Sequence, residues 1–190
     1  YGTTLDNMEK VDVVRQMIAG IDSVNVNEIL IMPDAFEIGC QAIEGLRNTL
    51  STDISIMNMA VTGTEADSTV AARMMNKMGA GCILTLGGDG TNRAVAKGCR
   101  ETPILPIAAG TNNVFSFFIE GTVAGIVAGI VARGIVKENN VTFQSKRLNV
   151  IRNGHSIDLA LVDVAVYDSP FEGARALLDV SKVKQVIATR

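Results

Sequence analysis

Through the first 140 residues, short apolar runs alternate with longer stretches of helical periodicity. Glu28–Met32, Asp53–Val61, Cys82–Leu86 and Pro103–Ala108 read as strands. Glu28–Met32 lacks the polar alternation of a half-exposed strand, and such runs suit strands buried on both faces of a parallel sheet. Between the runs, Asn7–Gly20, Ala35–Leu50, Thr64–Met78, Thr91–Cys99 and Glu120–Arg133 have helical spacing, as in Val11, Val14, Met17 and Ile18 on one face of the first. Thr64 stands as an N-cap with Asp67 three residues on, an approximate capping box. Strands alternating with helices predict an α/β three-layer domain with a mainly parallel sheet.

From about Val141 the texture changes. Asn149–Ile151 and Ile157–Tyr167 read as strands joined through Arg152-Asn153-Gly154-His155. Asn-Gly is a strong hairpin signal, because a type I′ turn needs positive φ at both central residues. The expected organisation is an α/β nucleotide-binding domain over 1–140 and the start of a β-rich domain over 141–190. The first is expected to lack its opening strand and the second to be incomplete within this chain.

Composition excludes several classes. Hydrophobic residues make up 47% of the chain and charged residues 19%, which is enough to bury a core. The net charge is −3, and no Lys/Arg run tracks a nucleic-acid backbone. The three cysteines, Cys40, Cys82 and Cys99, fit neither a zinc site nor a disulfide framework and are expected to be reduced and mostly buried. No signal peptide is visible, so the expected location is cytoplasmic. The apolar stretch Gly121–Ala132 falls short of the roughly 20 residues of a membrane span. Its Gly121, Gly125 and Gly129 repeat is expected to let a helix lie close against a sheet. His155 is alone in its type and is expected to be an exposed turn residue, which leaves no histidine for a nucleophilic triad.

The chemistry concentrates at strand ends. Ile83-Leu84-Thr85-Leu86 runs into Gly87-Gly88-Asp89-Gly90-Thr91-Asn92, where a helix begins. Glycines admit close backbone approach, and a helix N-terminus offers unpaired N–H groups and a positive dipole end. Together they form a phosphate seat at the carboxyl end of a sheet strand. A carboxylate there repels phosphate, unless Asp89 contacts a metal or takes a proton from an attacking hydroxyl. The alternative is a glycine-rich turn with Asp89 as helix N-cap. Neither a Walker loop nor a dinucleotide fingerprint is present. Leu105-Pro106-Ile107-Ala108-Ala109 likewise runs into Gly110-Thr111-Asn112-Asn113, and Thr62-Gly63 forms a third polar strand end. All three are expected on one sheet edge. Arg93 and Lys97, one turn apart, are either phosphate contacts or a solvated face.

The two strings Gly87-Gly88-Asp89-Gly90-Thr91 and Gly110-Thr111-Asn112-Asn113 resemble those of the NAD kinase and diacylglycerol kinase superfamily. With Asp67-Ser68-Thr69 and Glu120-Gly121-Thr122-Val123-Ala124-Gly125, the chain looks most like the ATP–NAD kinase branch of acetoin catabolism protein X. The resemblance covers roughly residues 60 to 175. It implies a Rossmann-like fold, Asp89 as general base on the ribose 2′-hydroxyl of NAD, and phosphate held by Gly87, Gly88, Gly90, Thr91 and Asn92. Thr62, Gly63, Gly110, Thr111, Asn112 and Asn113 complete the nucleotide-binding set. It implies ATP with Mg²⁺, and NAD as substrate; no metal ligand is assigned beyond Asp89 as a candidate. Where NAD kinases carry Asn-Glu for the adenosine, Val162-Asp163 stands here, which makes Asp163 a candidate for acceptor recognition. The expected activity is phosphoryl transfer from ATP to NAD or a related hydroxylated small molecule. Small nucleotides are the expected partners, without nucleic acid or membrane, in a homo-oligomer. The alternatives are a catalytically silent nucleotide-binding regulator and a diacylglycerol-type lipid kinase.

Overall fold

The computed structural model describes residues 5–46, 49–110, 113–137, 141–167 and 183–188. The chain divides into two compact units, Tyr1–Phe143 and Gln144–Arg190.

The first unit opens with α1 (Asn7–Asp22), where the Asp6 carboxylate accepts from the Glu9 N–H and the Glu9 carboxylate accepts from the Asp6 N–H, both at 2.8 Å. This reciprocal cap satisfies donors that a helix start otherwise leaves unpaired. β1 (Glu28–Ile31), α2 (Ile38–Glu44) and β2 (Asp53–Ile56) follow. β1 and β2 pair in parallel, with Ile29 opposite Ile54. Val11, Ile18, Ile29, Ala42 and Ile43 form their common core. α2 is shorter than the helix expected over Ala35–Leu50. The Asp34 carboxylate accepts from the N–H groups of Phe36, Ile38 and Gly39, and Glu37 sits at φ 56°, so the chain is still turning there. Such side-chain bonds to nearby backbone compete with helix formation.

Next come α3 (Glu65–Lys77), β3 (Ile83–Gly87), α4 (Asp89–Ala96) and β4 (Ile104–Ala108). β3 and β4 are parallel, in register from Ile83 opposite Ile104 to Gly87 opposite Ala108. Pro106 interrupts nothing. Its carbonyl accepts from the Phe117 N–H, away from β3, so the donor that proline lacks falls on the outer edge. Ala108 N–H donates to the Phe117 carbonyl on the same edge. Ala72, Ile83, Val95 and Cys99 pack the second core. The parallel pairing and the helical connections make this a Rossmann-like α/β fold. Among the described residues, however, β1 bonds only to β2 and β3 only to β4, so the parallel strands form two pairs rather than one sheet.

α5 (Gly121–Ala132) is capped by Glu120, whose carboxylate accepts from the Thr122 and Val123 N–H groups at 2.9 Å. Its glycine stripe meets α1, which corrects the expectation that it lies on a sheet. A Cβ on Gly125 would collide with the Met17 carbonyl, and one on Gly121 would stand 2.8 Å from Gln16 Cβ. Gly20 answers from α1, where a Cβ would strike the Thr122 carbonyl. Small residues on both helices therefore bring the two backbones into contact. No helix among the described residues is long and apolar enough to cross a membrane.

The cysteines are free, but only Cys99 is fully buried; Cys40 is exposed, contrary to the expectation of mostly buried thiols. Burial pushes the Cys82 thiol up to about 12, so little thiolate forms at neutral pH. In the second unit, β5 (Leu148–Arg152) and β6 (His155–Ala160) form the expected antiparallel hairpin, but the single strand expected over Ile157–Tyr167 is broken by a bend at Leu161 and Val162. Asn153 at φ 53° and Gly154 at φ 79° make the hairpin turn, and His155 is exposed. β7 (Asp163–Tyr167) pairs antiparallel with β8 (Val183–Ala188).

Gly125→Ala is expected to lower the thermal midpoint measured by calorimetry by several degrees. Overpacking a tight contact costs roughly 1–3 kcal/mol. An unchanged midpoint would mean that α1 and α5 separate freely.

Candidate active site

The turn from β3 into α4 is built entirely from the glycine-rich string. Gly88 occupies the N-cap with extended backbone, φ −90° and ψ −170°, and makes no side-chain cap bond. The helix starts at Asp89, inside the motif and two residues before the Thr91 start expected. Its first intrahelical bond is Asn92 N–H to the Gly88 carbonyl, 3.1 Å. Among the described residues, the N–H groups of Asp89, Gly90 and Thr91 have no partner. They form the electropositive end of the helix, where an anion is favoured.

The glycines serve different ends. A Cβ on Gly87 would lie 2.6 Å from Thr91 Cβ and Oγ1, so Gly87 makes room for the Thr91 side chain. A Cβ on Gly110 would lie 2.9 Å from Gly88 Cα and N, so the two motif loops touch backbone to backbone there. A Cβ on Gly90 would meet nothing within 4 Å. Packing does not require glycine at 90; the surface above the helix start is simply kept bare.

Asp89 does not cap its own helix. Its carboxylate crosses to the second loop and accepts from Val114 N–H at 3.0 Å and Phe115 N–H at 2.9 Å. That removes the reading of Asp89 as a local N-cap. A carboxylate has about four lone-pair positions, so two backbone donors leave capacity for a ligand hydroxyl. Asn113 folds back on the same loop, donating from Nδ2 to the Gly110 carbonyl. Thr111 and Asn112, both expected in the site, lie outside the described residues.

Beneath the seat lies a buried polar network. Asn92 is 0% exposed. Its Oδ1 accepts from Thr85 Oγ1, and its Nδ2 donates to the Gly88 carbonyl at 3.0 Å and to Ser116 Oγ at 2.8 Å. Ser116 Oγ in turn donates to the Gly87 carbonyl at 3.2 Å. This corrects the expectation that Asn92 holds phosphate: its side chain and its N–H are both committed inside the protein. The sequence reading missed Thr85 and Ser116. Thr85 had a signal, a polar residue within an otherwise apolar buried strand; Ser116 had none.

At the third strand end, Thr62 and Gly63 are exposed, and no bond links them directly to the glycine-rich loop among the described residues. They are held by Asp67, buried in the first turn of α3. Its carboxylate accepts from Thr62 Oγ1 at 2.7 Å, Thr62 N–H at 3.0 Å and Gly63 N–H at 2.8 Å. The capping box expected between Thr64 and Asp67 is replaced by this wider clasp. The Thr62 hydroxyl foremost, with the Gly63 and Thr62 N–H groups, holds the Asp67 carboxyl below its ordinary value. Glu65 pairs with Arg93 at 2.8 Å and Lys97 at 3.5 Å, which places the start of α3 beside α4. Arg93 first, then Lys97, holds the Glu65 carboxyl below its usual range. The two cations are thus engaged by a carboxylate. Asp163 belongs to the second unit, exposed at the first residue of β7.

The Rossmann-like fold is that of the NAD kinase family: residues 28–135 match the ATP-NAD kinase N-terminal domain, and the chain belongs to that family. Residues 146–190 match the acetoin catabolism protein X C-terminal domain. The chain is 34% identical over 183 residues to acetoin catabolism protein X of Cupriavidus necator, covering 92% of this chain and 51% of that relative. It therefore spans about half the length of the curated relative it matches. No solved structure matches it.

Two substitutions separate packing from ligand contact. Gly87→Ala is expected to destabilise the fold, because the new Cβ would meet the Thr91 Cβ at 2.6 Å and no side-chain rotation moves that atom. Gly90→Ala is expected to leave the thermal midpoint unchanged or raised, since alanine favours a helix by about 1 kcal/mol over glycine. It should nevertheless weaken ATP binding measured by titration calorimetry. Unaltered affinity in Gly90→Ala would remove the helix start from the ligand seat.

The Asp67 clasp predicts a pH dependence. A carboxyl held low in the folded state stabilises above its unfolded value, and that stability is lost as pH falls through the folded value. Asp67→Asn should therefore melt lower than the parent near pH 7. The two melting curves should converge as pH falls below the ordinary carboxylate range, because the parent loses its clasp as the folded carboxyl takes up its proton. A gap independent of pH would assign the effect to packing alone.

Proposed function

We propose that this chain is the nucleotide-binding portion of a kinase that transfers the γ-phosphoryl group of ATP to a hydroxyl of NAD or of a related small nucleotide. The observation that carries this reading is the position of the Asp89 carboxylate. It stands at the mouth of the α4 N–H groups, fixed by the Val114 and Phe115 N–H groups of the second loop. A phosphate chain on the helix start lies beside a carboxylate that accepts protons. In the transfer, the acceptor oxygen attacks the γ-phosphorus, its proton passes to Asp89, and ADP leaves. Phosphoryl transfer needs positioning and charge neutralisation more than covalent chemistry. The bare surface at Gly90 and the fixed carboxylate supply positioning.

Mg²⁺ supplies neutralisation of the phosphate charge when bound. The described residues include no group of three or more His, Cys, Asp or Glu able to hold a metal unaided. The single Asp89 carboxylate at the helix start fits Mg²⁺, which is usually held by one or two carboxylates together with substrate phosphates. Asp89 is the carboxylate placed to share in holding it.

A second reading has an observation in its favour. Asp89 joins two loops, and that structural duty would persist in a regulatory nucleotide binder without catalysis. The two readings separate on Asp89→Asn, assayed for phosphorylation of NAD⁺ with ATP and Mg²⁺ and, in parallel, for ATP binding. A kinase is expected to lose turnover by a factor on the order of 100 or more, with ATP affinity largely retained. Turnover equal to the parent's would sink the assignment of Asp89 as base. ATP binding by the parent without any turnover would favour the regulator.

A further inference from the structure

Thr85, Asn92 and Ser116 are buried together beneath the glycine-rich turn. Burying a hydroxyl or an amide costs free energy unless its hydrogens and acceptors are met. Here the placing of every hydrogen follows from the partners. A carbonyl oxygen only accepts, so the Asn92 side chain must turn Nδ2 toward the Gly88 carbonyl, at 3.0 Å. Oδ1 then faces Thr85, whose hydroxyl donates to it. The second Nδ2 hydrogen goes to Ser116 Oγ at 2.8 Å, and the Ser116 hydrogen goes to the Gly87 carbonyl at 3.2 Å. The circuit leaves β3 at Thr85, passes through α4 and the segment after β4, and returns to β3 at Gly87. Turning the amide over would set Oδ1 against the Gly88 carbonyl, acceptor against acceptor.

Asp89 and Asn92 stand three residues apart on α4, and residues at that spacing share a helix face. From that face they reach consecutive residues of one segment. Asp89 accepts from the Val114 and Phe115 N–H groups, and Asn92 donates to Ser116. The two attachments differ in their surroundings. Val114 is half-exposed, and its bond to Asp89 is open to water. The bond between Asn92 and Ser116 is buried. A bond open to water is readily exchanged for one to water or to a ligand. Breaking a buried one leaves its groups unpaired and costs their desolvation. The inner bond therefore docks the segment, and the outer bonds aim a carboxylate whose place the inner bond has set.

We propose that Asn92 and Ser116 are positioning residues: they hold the segment after β4 on α4 and, through the Val114 and Phe115 N–H groups, fix the direction in which the Asp89 carboxylate meets an acceptor hydroxyl. Asp89 can then give up a backbone donor to a ligand without the loop leaving α4. The part played by the acceptor rests on the kinase reading; the docking of the loop does not. Neither positioning residue touches the ligand. Removing the Ser116 hydroxyl leaves the Asn92 bonds to Thr85 and Gly88 in place, so the first turn of α4 keeps its N–H groups for phosphate. The effect falls on turnover and not on ATP affinity.

The test compares Ser116→Ala, Ser116→Thr and Thr85→Val with the parent in the full-length protein. Amide hydrogen exchange is resolved by residue, and phosphorylation of NAD⁺ with ATP and Mg²⁺ is followed in parallel with ATP binding. In Ser116→Ala the Val114 and Phe115 amides are expected to exchange faster by a factor of about 10 or more. Turnover is expected to fall by a factor on the order of 10 to 100, the scale of a misplaced reacting group, with ATP affinity unchanged. Ser116→Thr returns the hydroxyl and is expected to restore both. Thr85→Val keeps the side chain's shape and removes the donor that orients the Asn92 amide. It should move the same readouts in the same direction, and it decides the matter if Ser116→Ala does not fold. Parental exchange at Val114 and Phe115 in the folded variant would mean that Asp89, or the Phe117 bonds to β4, hold the loop unaided, and would overturn the proposal. A loss of ATP affinity as large as the loss of turnover would assign these residues to general stability and overturn it as well. A parent without turnover would remove the kinase reading alone, because the exchange rates still decide whether Asn92 and Ser116 dock the loop.

Discussion

One buried amide, Asn92, ties together the parts from which the candidate site is made. From a fully enclosed position it engages β3 through Thr85, the glycine turn through the Gly88 carbonyl, and the segment after β4 through Ser116. Both amide hydrogens and the amide oxygen of the side chain have partners, and a satisfied buried polar network rigidifies rather than destabilises. With the Gly87 and Gly88 carbonyls held inward, the turn into α4 has little freedom. The first-turn N–H groups keep their direction, and the second loop comes close enough for Asp89 to bridge to it. The exposed chemistry is thus set by a hidden one.

Close helix packing frames this arrangement. Gly20, Gly121 and Gly125 let α1 and α5 meet at backbone distance. Met17 of α1 and Ala124 of α5 then pack together against Ile107 and Leu105 of β4. The chain therefore positions its edge strand from both sides: by helix packing, and by Phe117 bonding along the outer edge at Pro106 and Ala108. A proline in a strand and a glycine-rich helix, each unfavourable alone, become compatible once each sits where its missing group is not needed.

Much of this could be read from the residues. The strand–helix alternation, the parallel pairing of the apolar runs and the Asn153-Gly154 hairpin all follow from local patterns, because periodicity and turn chemistry are local properties. The glycine-rich string announced a helix start able to receive an anion. Other features were hidden because they depend on partners far along the chain. The glycine stripe reported close approach but not whether a sheet or a helix would be approached. Asp67 looked like a capping residue by spacing, yet its carboxylate found Thr62 and Gly63. Asn92 looked like a ligand contact because it adjoins the motif, and burial gave it a different duty. Asn92 and Ser116 are separated by 24 positions, and no pattern along the chain joins them.

The sequence by itself determined the order of strands and helices, though not the ends of α2 and β2, and that a glycine-rich turn with one carboxylate would stand at a strand end. Those outcomes depend on φ/ψ preference, side-chain period and the absence of a Cβ, which neighbouring residues decide among themselves. Only the tertiary structure decided that Asp89 would reach Val114 and Phe115, that Asn92 would face inward, and that, among the described residues, β1 would pair with β2 alone and β3 with β4 alone. These depend on where distant backbone donors and acceptors arrive when the cores close, and a carboxylate or an amide takes whichever of them burial makes it most costly to leave unpaired.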